Sequence, residues 1–142
     1  MNVLISFIII IFPVIFTILL MIYIYSKYAR YEITANSLRL YGLYGKNIKK
    51  EFIIKDGIRI INLDEKSDYT PYLRTNGIGF PRYYEGWFRL KNREKALVLI
   101  RGKTKKAVYI PTRKNFSIIL GSVNPEILVK SLIETNDEHH AY

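Results

Sequence analysis

The chain divides by its hydrophobic period. From Val3 to Tyr25 the apolar positions run almost without a break, VLISFIIIIFPVIFTILLMIYIY, with no charged side chain and only Ser6 and Thr17 as polar groups besides the tyrosine hydroxyls. As a helix rising ~1.5 Å per residue, this run reaches roughly 34 Å. That is enough to cross a hydrocarbon core about 30 Å thick. Period two then takes over. Residues 31–34 and 38–41 alternate around Ala35-Asn36-Ser37 and predict a hairpin. Gly42 and Gly45 bracket a turn, Asp56-Gly57 marks another, and Ile58, Ile60 and Leu63 lie on a strand with Arg59 on the alternate face. Residues 64–72 are polar and read as a loop, and Gly77, Gly79 and Pro81 make an irregular approach to a strand over 83–90. On that strand Tyr84, Gly86, Phe88 and Leu90 share one face, and Tyr83, Glu85, Trp87 and Arg89 share the other. Residues 96–100 form a near-continuous apolar strand, 101–106 a basic hairpin tip, 107–110 the return and 116–120 a last strand. The period then lengthens. Asn124 suits an N-cap, Pro125 the first turn and Glu126 the helix dipole, while Ile127, Leu128, Leu132 and Ile133 give one apolar face. These elements predict an N-terminal transmembrane helix plus a mainly-β domain, a barrel or sandwich of about seven antiparallel strands whose open end a C-terminal α-helix caps. The expected boundaries are 1–28 for the anchor, 29–136 for the domain and 137–142 for a flexible tail.

Charge sharpens this picture. The chain has 142 residues and net charge +10, and all 22 Lys and Arg residues follow the apolar run. What remains beyond the run is enough for one core. A cleaved signal would need a basic start, a shorter apolar segment and a small-residue cleavage site. Here no Lys or Arg precedes the run, and Tyr25-Ser26-Lys27 is not such a site, so a retained single-pass anchor in the cell membrane is expected. Lys27 and Arg30 just after the span put the N-terminus outside and the domain in the cytoplasm. Tyr23, Tyr25, Lys27, Tyr28 and Arg30 are then the membrane-interface residues, and Pro13 is a tolerated irregularity within the span.

Catalytic chemistry has little to stand on. Without cysteine there is no disulfide, thiolate nucleophile or Cys-based zinc site. His139 and His140 sit in the terminal tail without visible partners for a metal, and serines in the folded part lack a histidine base. Asp64, Glu65 and Asp68 match no calcium loop. No enzyme, metal site, cofactor or nucleic-acid partner is expected. Between Lys95 and Pro125 there is no Asp or Glu, and Arg101, Lys103, Lys105 and Lys106 gather on one tip. Such a tip can lean on the headgroups of a lipid bilayer, at ~1 kcal/mol per basic residue near an anionic leaflet. Tyr83, Trp87 and Arg89 could form an exposed strip for a protein partner; the alternative, taken as the stronger, is that Trp87 packs the second layer of the domain.

Four stretches carry a family resemblance: Leu40-Tyr41-Gly42-Leu43-Tyr44-Gly45, Arg74-Thr75-Asn76-Gly77-Ile78-Gly79, Gly86-Trp87-Phe88 and Asn124-Pro125-Glu126. Together, over residues 31–135, the chain resembles the bacterial pleckstrin-homology-like domains that occur beside membrane spans. The resemblance implies a β-barrel-like fold with a capping helix. Lipid-binding pleckstrin-homology domains carry basic residues in the loop joining their first two strands. Here that loop is the uncharged Ala35-Asn36-Ser37, which argues against headgroup binding in that mode. The expected function is a membrane-anchored, non-enzymatic binding module that docks a protein partner or anionic lipid. The alternative is a structural subunit of a larger membrane complex.

Overall fold

A computed structural model describes residues 2–134. The apolar run forms α1 (Val3–Tyr28), and none of its lipophilic stretch Val3–Tyr25 is buried among the described residues. Its length and composition suit a bilayer crossing, a property that retained anchors share with signal sequences. Pro13 lies inside the helix, and Thr17 Oγ1 donates to the Pro13 carbonyl at 2.7 Å, so this hydroxyl has a partner without water.

Only Ala29 separates α1 from β1 (Arg30–Ile33). A three-stranded antiparallel sheet follows, in the order β1, β2 (Ser37–Tyr41), β3 (Lys46–Lys49). Two short 3-10 turns, Lys50–Phe52 and Lys55–Gly57, lead to β4 (Arg59–Asn62). The remaining strands are β5 (Pro71–Phe80), β6 (Tyr83–Leu90), β7 (Lys95–Arg101), β8 (Lys106–Pro111) and β9 (Ser117–Gly121). They join β4 in a six-stranded sheet of order β4-β8-β9-β7-β6-β5. The helix α2 (Pro125–Ile133) closes the domain.

Two expectations change here. Nine strands form among the described residues, and one pairing, β7 with β9, is parallel. The two extra strands are β3, where the apolar pattern is interrupted, and β5, which the glycines of residues 74–79 disguise as a loop. The latter is an edge strand with register shifts at Pro71/Leu73 and Arg74/Asn76, and edge positions tolerate such irregularity. Nor do residues 101–106 form a hairpin tip. They cross the end of β9, which lies between β7 and β8.

The core explains why β7, β8 and β9 read as continuous apolar runs. Their alternate residues face two clusters. Leu97, Leu99, Val108, Ile110, Ile118 and Leu120 meet Leu38, Leu40, Ile48, Leu128 and Leu132 between the two sheets and α2. On the opposite face Ala96, Val98, Ile100, Ala107 and Ile119 pack with Ile61, Phe88 and Leu90, partly under Leu63 and Tyr69. Strands buried on both faces need no polar alternation.

At α2, Pro125 occupies the first turn as expected, but the Asn124 side chain makes no capping bond. The buried face is Pro125, Leu128 and Leu132, whereas Ile127 is 65% exposed and Ile133 is exposed too. The helix is held at its other end. Lys50 Nζ donates to the Ser131 and Glu134 carbonyls at 3.1 and 3.4 Å, and Lys55 Nζ donates to Ile133 at 3.2 Å. Cations suit these unsatisfied last-turn carbonyls. Burial, then the charge of Lys55, pulls the Lys50 pKa down, and Glu134 opposes them. The expected tail, 137–142, with His139 and His140, lies outside the described residues.

Candidate functional site

The turn-and-glycine motif of residues 40–45 builds an internal polar joint. Glu85, only 3% exposed, receives the Tyr44 N–H at 3.0 Å on Oε1 and the Tyr83 hydroxyl on Oε2. Gly42, at φ 146°, lies so close to the Glu85 carboxylate that a Cβ would collide with it. The Tyr44 ring covers Gly86 and its hydroxyl donates to Asn76 Oδ1 at 3.0 Å, linking the small sheet to β5 and β6. Burial first, then the Glu85 hydrogen bond, pushes the Tyr83 pKa well up. These groups satisfy one another inside the fold, as buried polar atoms must.

The exposed strip weighed for Tyr83, Trp87 and Arg89 is not there, and Trp87 packs against the core, in line with the reading taken as the stronger. Their strand face turns inward, because the three-stranded sheet covers it. Tyr83 is 8% exposed and belongs to the core. Trp87 packs edge-on against Phe116 with centroids 5.2 Å apart, and Lys95 Nζ stands 4.3 Å from its ring centre. Arg89 alone is open to solvent, with Nη1 donating to the Arg93 carbonyl at 3.0 Å.

The basic residues of 101–106 come together at the end of the domain from which α1 emerges. Arg101 Nη1 donates to the carbonyl of Ala29 at 2.6 Å. Ala29 itself is fully buried. Lys103, Lys105 and Lys106 are exposed nearby, and Lys105 pairs with Asp64 at 3.8 Å. Arg101 is thus a tie between helix and domain, whereas the three lysines project to solvent. The Gly102 N–H donates to the Arg82 carbonyl at 2.8 Å, which brings the β5–β6 turn to the same end. Around the α1 terminus, Tyr23, Tyr25, Lys27, Tyr28 and Arg30 are all exposed. Lys27 Nζ lies 4.6 Å over the Tyr23 ring, and the Arg30 guanidinium lies 5.0 Å over Tyr41.

Beside this end opens a groove of about 820 Å³ that the sequence reading missed. Its cations are Arg74, Arg82, Lys103 and Lys105, and its floor is Tyr84 with Phe88 and Ile100, the last two from the second apolar cluster. The signal was present in residues 74–82, but reading Gly77, Gly79 and Pro81 as an irregular approach left Arg74 without a face. No group of His, Asp and Glu among the described residues is arranged to hold a metal ion. The loop carboxylates are engaged locally: Asp64 with Lys105, and Glu65 with Asn62 Nδ2 at 3.3 Å.

A family model described as "Bacterial PH domain" matches residues 29–135. No curated protein and no solved structure matches the chain. With three-quarters of its length under that model, and two sheets closed by a C-terminal helix, the chain belongs to the bacterial PH domain family, which is not known as catalytic.

Proposed function

We propose that this PH domain is held at a bilayer by a retained α1, with its N-terminus outside and its domain in the cytoplasm, and that it is a non-catalytic binding module whose α1 end docks on anionic lipid. The observation that carries the reading is the Arg101–Ala29 hydrogen bond. Through it, the most basic connection of the domain lies beside the exit of the apolar helix. With one residue between helix and strand, and at most ~3.6 Å of reach per residue, the lysines cannot stand far from the headgroups. Each contributes ~1 kcal/mol near an anionic leaflet, screened by salt.

The test is hydrogen exchange on the full chain in nanodiscs. Phosphatidylglycerol should protect residues 101–106 relative to phosphatidylcholine, and Lys103→Glu with Lys105→Glu and Lys106→Glu should abolish the difference. Equal exchange in both lipids would end the reading. Orientation has its own check. The chain lacks cysteine, so Lys66→Cys should resist membrane-impermeant thiol reagents in intact cells. A protein partner is a second reading, favoured by β5. One side of this strand is unpaired, and Tyr72 and Leu73 are 74% and 55% exposed, an edge to which an extended peptide can add a strand.

A further inference from the structure

The groove beside the α1 end has a composition that docking of the lysines does not require. Its four cations face a single carboxylate, Asp64, which Lys105 already engages. The other ion pairs of the described residues are Lys49–Glu51 and Lys130–Glu134, so none neutralises Arg74, Arg82 or Lys103. The floor is apolar and opens onto Phe88, Ile100 and the ring of Tyr84. Gly79 keeps the wall low. Arg74 Nη1 and the Tyr84 ring edge lie 3.4 and 3.6 Å from where its Cβ would stand, so the guanidinium and the ring border one bare patch of backbone. Arg82 sits at the β5–β6 turn with φ 68°, a left-handed conformation that glycine adopts at lower cost. An arginine there adds nothing to the turn and adds a cation to the groove.

We infer that this groove holds one molecule of an anionic phospholipid, its phosphate between Arg74 and Arg82 and its glycerol and first acyl carbons over Tyr84, Phe88 and Ile100. The inference rests on the reading of the α1 end as lipid-facing and adds a stoichiometric site to it. Guanidinium groups suit phosphate because their paired N–H donors match its oxygens. The apolar floor distinguishes a lipid from free phosphate, and the position beside α1 favours a lipid over an acidic peptide. The site lies on β5, β6 and the 102–105 connection, away from the uncharged Ala35-Asn36 turn.

The full chain in phosphatidylcholine nanodiscs should bind soluble dihexanoyl phosphatidic acid with one-to-one saturation, read from the amide shifts of Gly79 and Gly102. Arg74→Gln or Arg82→Gly should each weaken it about tenfold or more, the loss of one charge-assisted contact. Arg82→Gly relieves the left-handed turn, so its loss of binding cannot be blamed on unfolding, and Lys49→Gln on a distant strand should bind normally. Absent saturation, or equal binding of dihexanoyl phosphatidylcholine, would overturn the site. Inorganic phosphate binding as tightly would make it a small-anion site instead, and tighter binding of octaglutamate would make it a peptide groove. Because these variants leave Lys106 and the nanodisc exchange experiment untouched, failure here is separable from failure of charge-dependent docking.

Discussion

At the residue scale, two tyrosines are buried against the carboxylates that receive them, and this sets how the domain responds to alkali. Tyr109 donates to Glu94 at 2.8 Å beneath Tyr69, whose ring centre is 4.4 Å away. Burial pushes its pKa up to about 12; the Ser117 hydroxyl opposes the shift and the Glu94 carboxylate reinforces it. Tyr83 is raised in the same direction. A phenol raised in the folded state contributes stability in full below the unfolded pKa near 10, and loses it as pH climbs through the folded value. Tyr109 alone should therefore withdraw about 3 kcal/mol between roughly pH 10 and 12. Absorbance at 295 nm should show two of the 12 tyrosines ionising only as the domain unfolds. If all ionise before the loss of structure, the burial argument fails. Gly86 makes a second test. It sits at φ 118°, and a Cβ would stand 2.6 Å from the Gly77 Cα and 2.7 Å from the Asn76 carbonyl oxygen. The β5 backbone it would meet cannot readily yield, so Gly86→Ala should cost more than about 2 kcal/mol in denaturant unfolding. A cost below half that would mean that the β5 edge shifts freely.

At the scale of elements, the sequence disclosed what periodicity can carry and hid what tertiary context decides. The hydrophobic run of α1 and the period-two alternation of residues 38–41 and 83–90 depend only on the neighbouring residues, so their elements were legible. β5 was not, because its Gly77 answers a close backbone contact with Gly86, which lies under the ring of Tyr44 from far earlier in the chain. The same ambiguity hid the groove, since Arg74 acquires a face only once β5 is a strand. The inward turn of Trp87 was favoured only on the balance of priors, and burial of Tyr83 was not foreseen: alternation separates two faces without saying which one the small sheet covers. The C-terminal helix divides likewise. Its period was clear, but only Leu128 and Leu132 of the four expected residues are buried. Leu132→Ala should cost about 2–5 kcal/mol, the range for emptying a buried leucine site. Ile127→Ala should change stability by less than about 0.5 kcal/mol, as exposed positions do. Equal effects in chemical denaturation would show that the helix packs through a different face.

At the scale of the whole molecule, the question is whether helix and domain move as one. Ala29 is all that joins them, and it is held in three ways: its N–H donates to Tyr25 at 3.0 Å, its methyl group is buried, and its carbonyl receives Arg101. The first bond belongs to the end of α1, the second to the core and the third to the six-stranded sheet, so the joint is fixed from both sides. A charge-assisted bond of this kind contributes about 1.5–3 kcal/mol. Removing it while keeping part of the side chain's length, as in Arg101→Gln, should lower the stability of the domain by no more than that amount and loosen its angle to the helix. Spin labels at Ile24→Cys and Lys66→Cys, introduced into the cysteine-free chain in nanodiscs, should give a narrow distance distribution in the parent and a broader one in the variant. The same variant should lose part of the lipid-dependent protection of residues 101–106, because a domain free to swing no longer presents its lysines to the headgroups at a fixed height. A distribution equally narrow in both proteins would assign the rigidity to Ala29 burial and β1 pairing alone, and Arg101 would then be one more cation at the bilayer rather than the strut that aims the others.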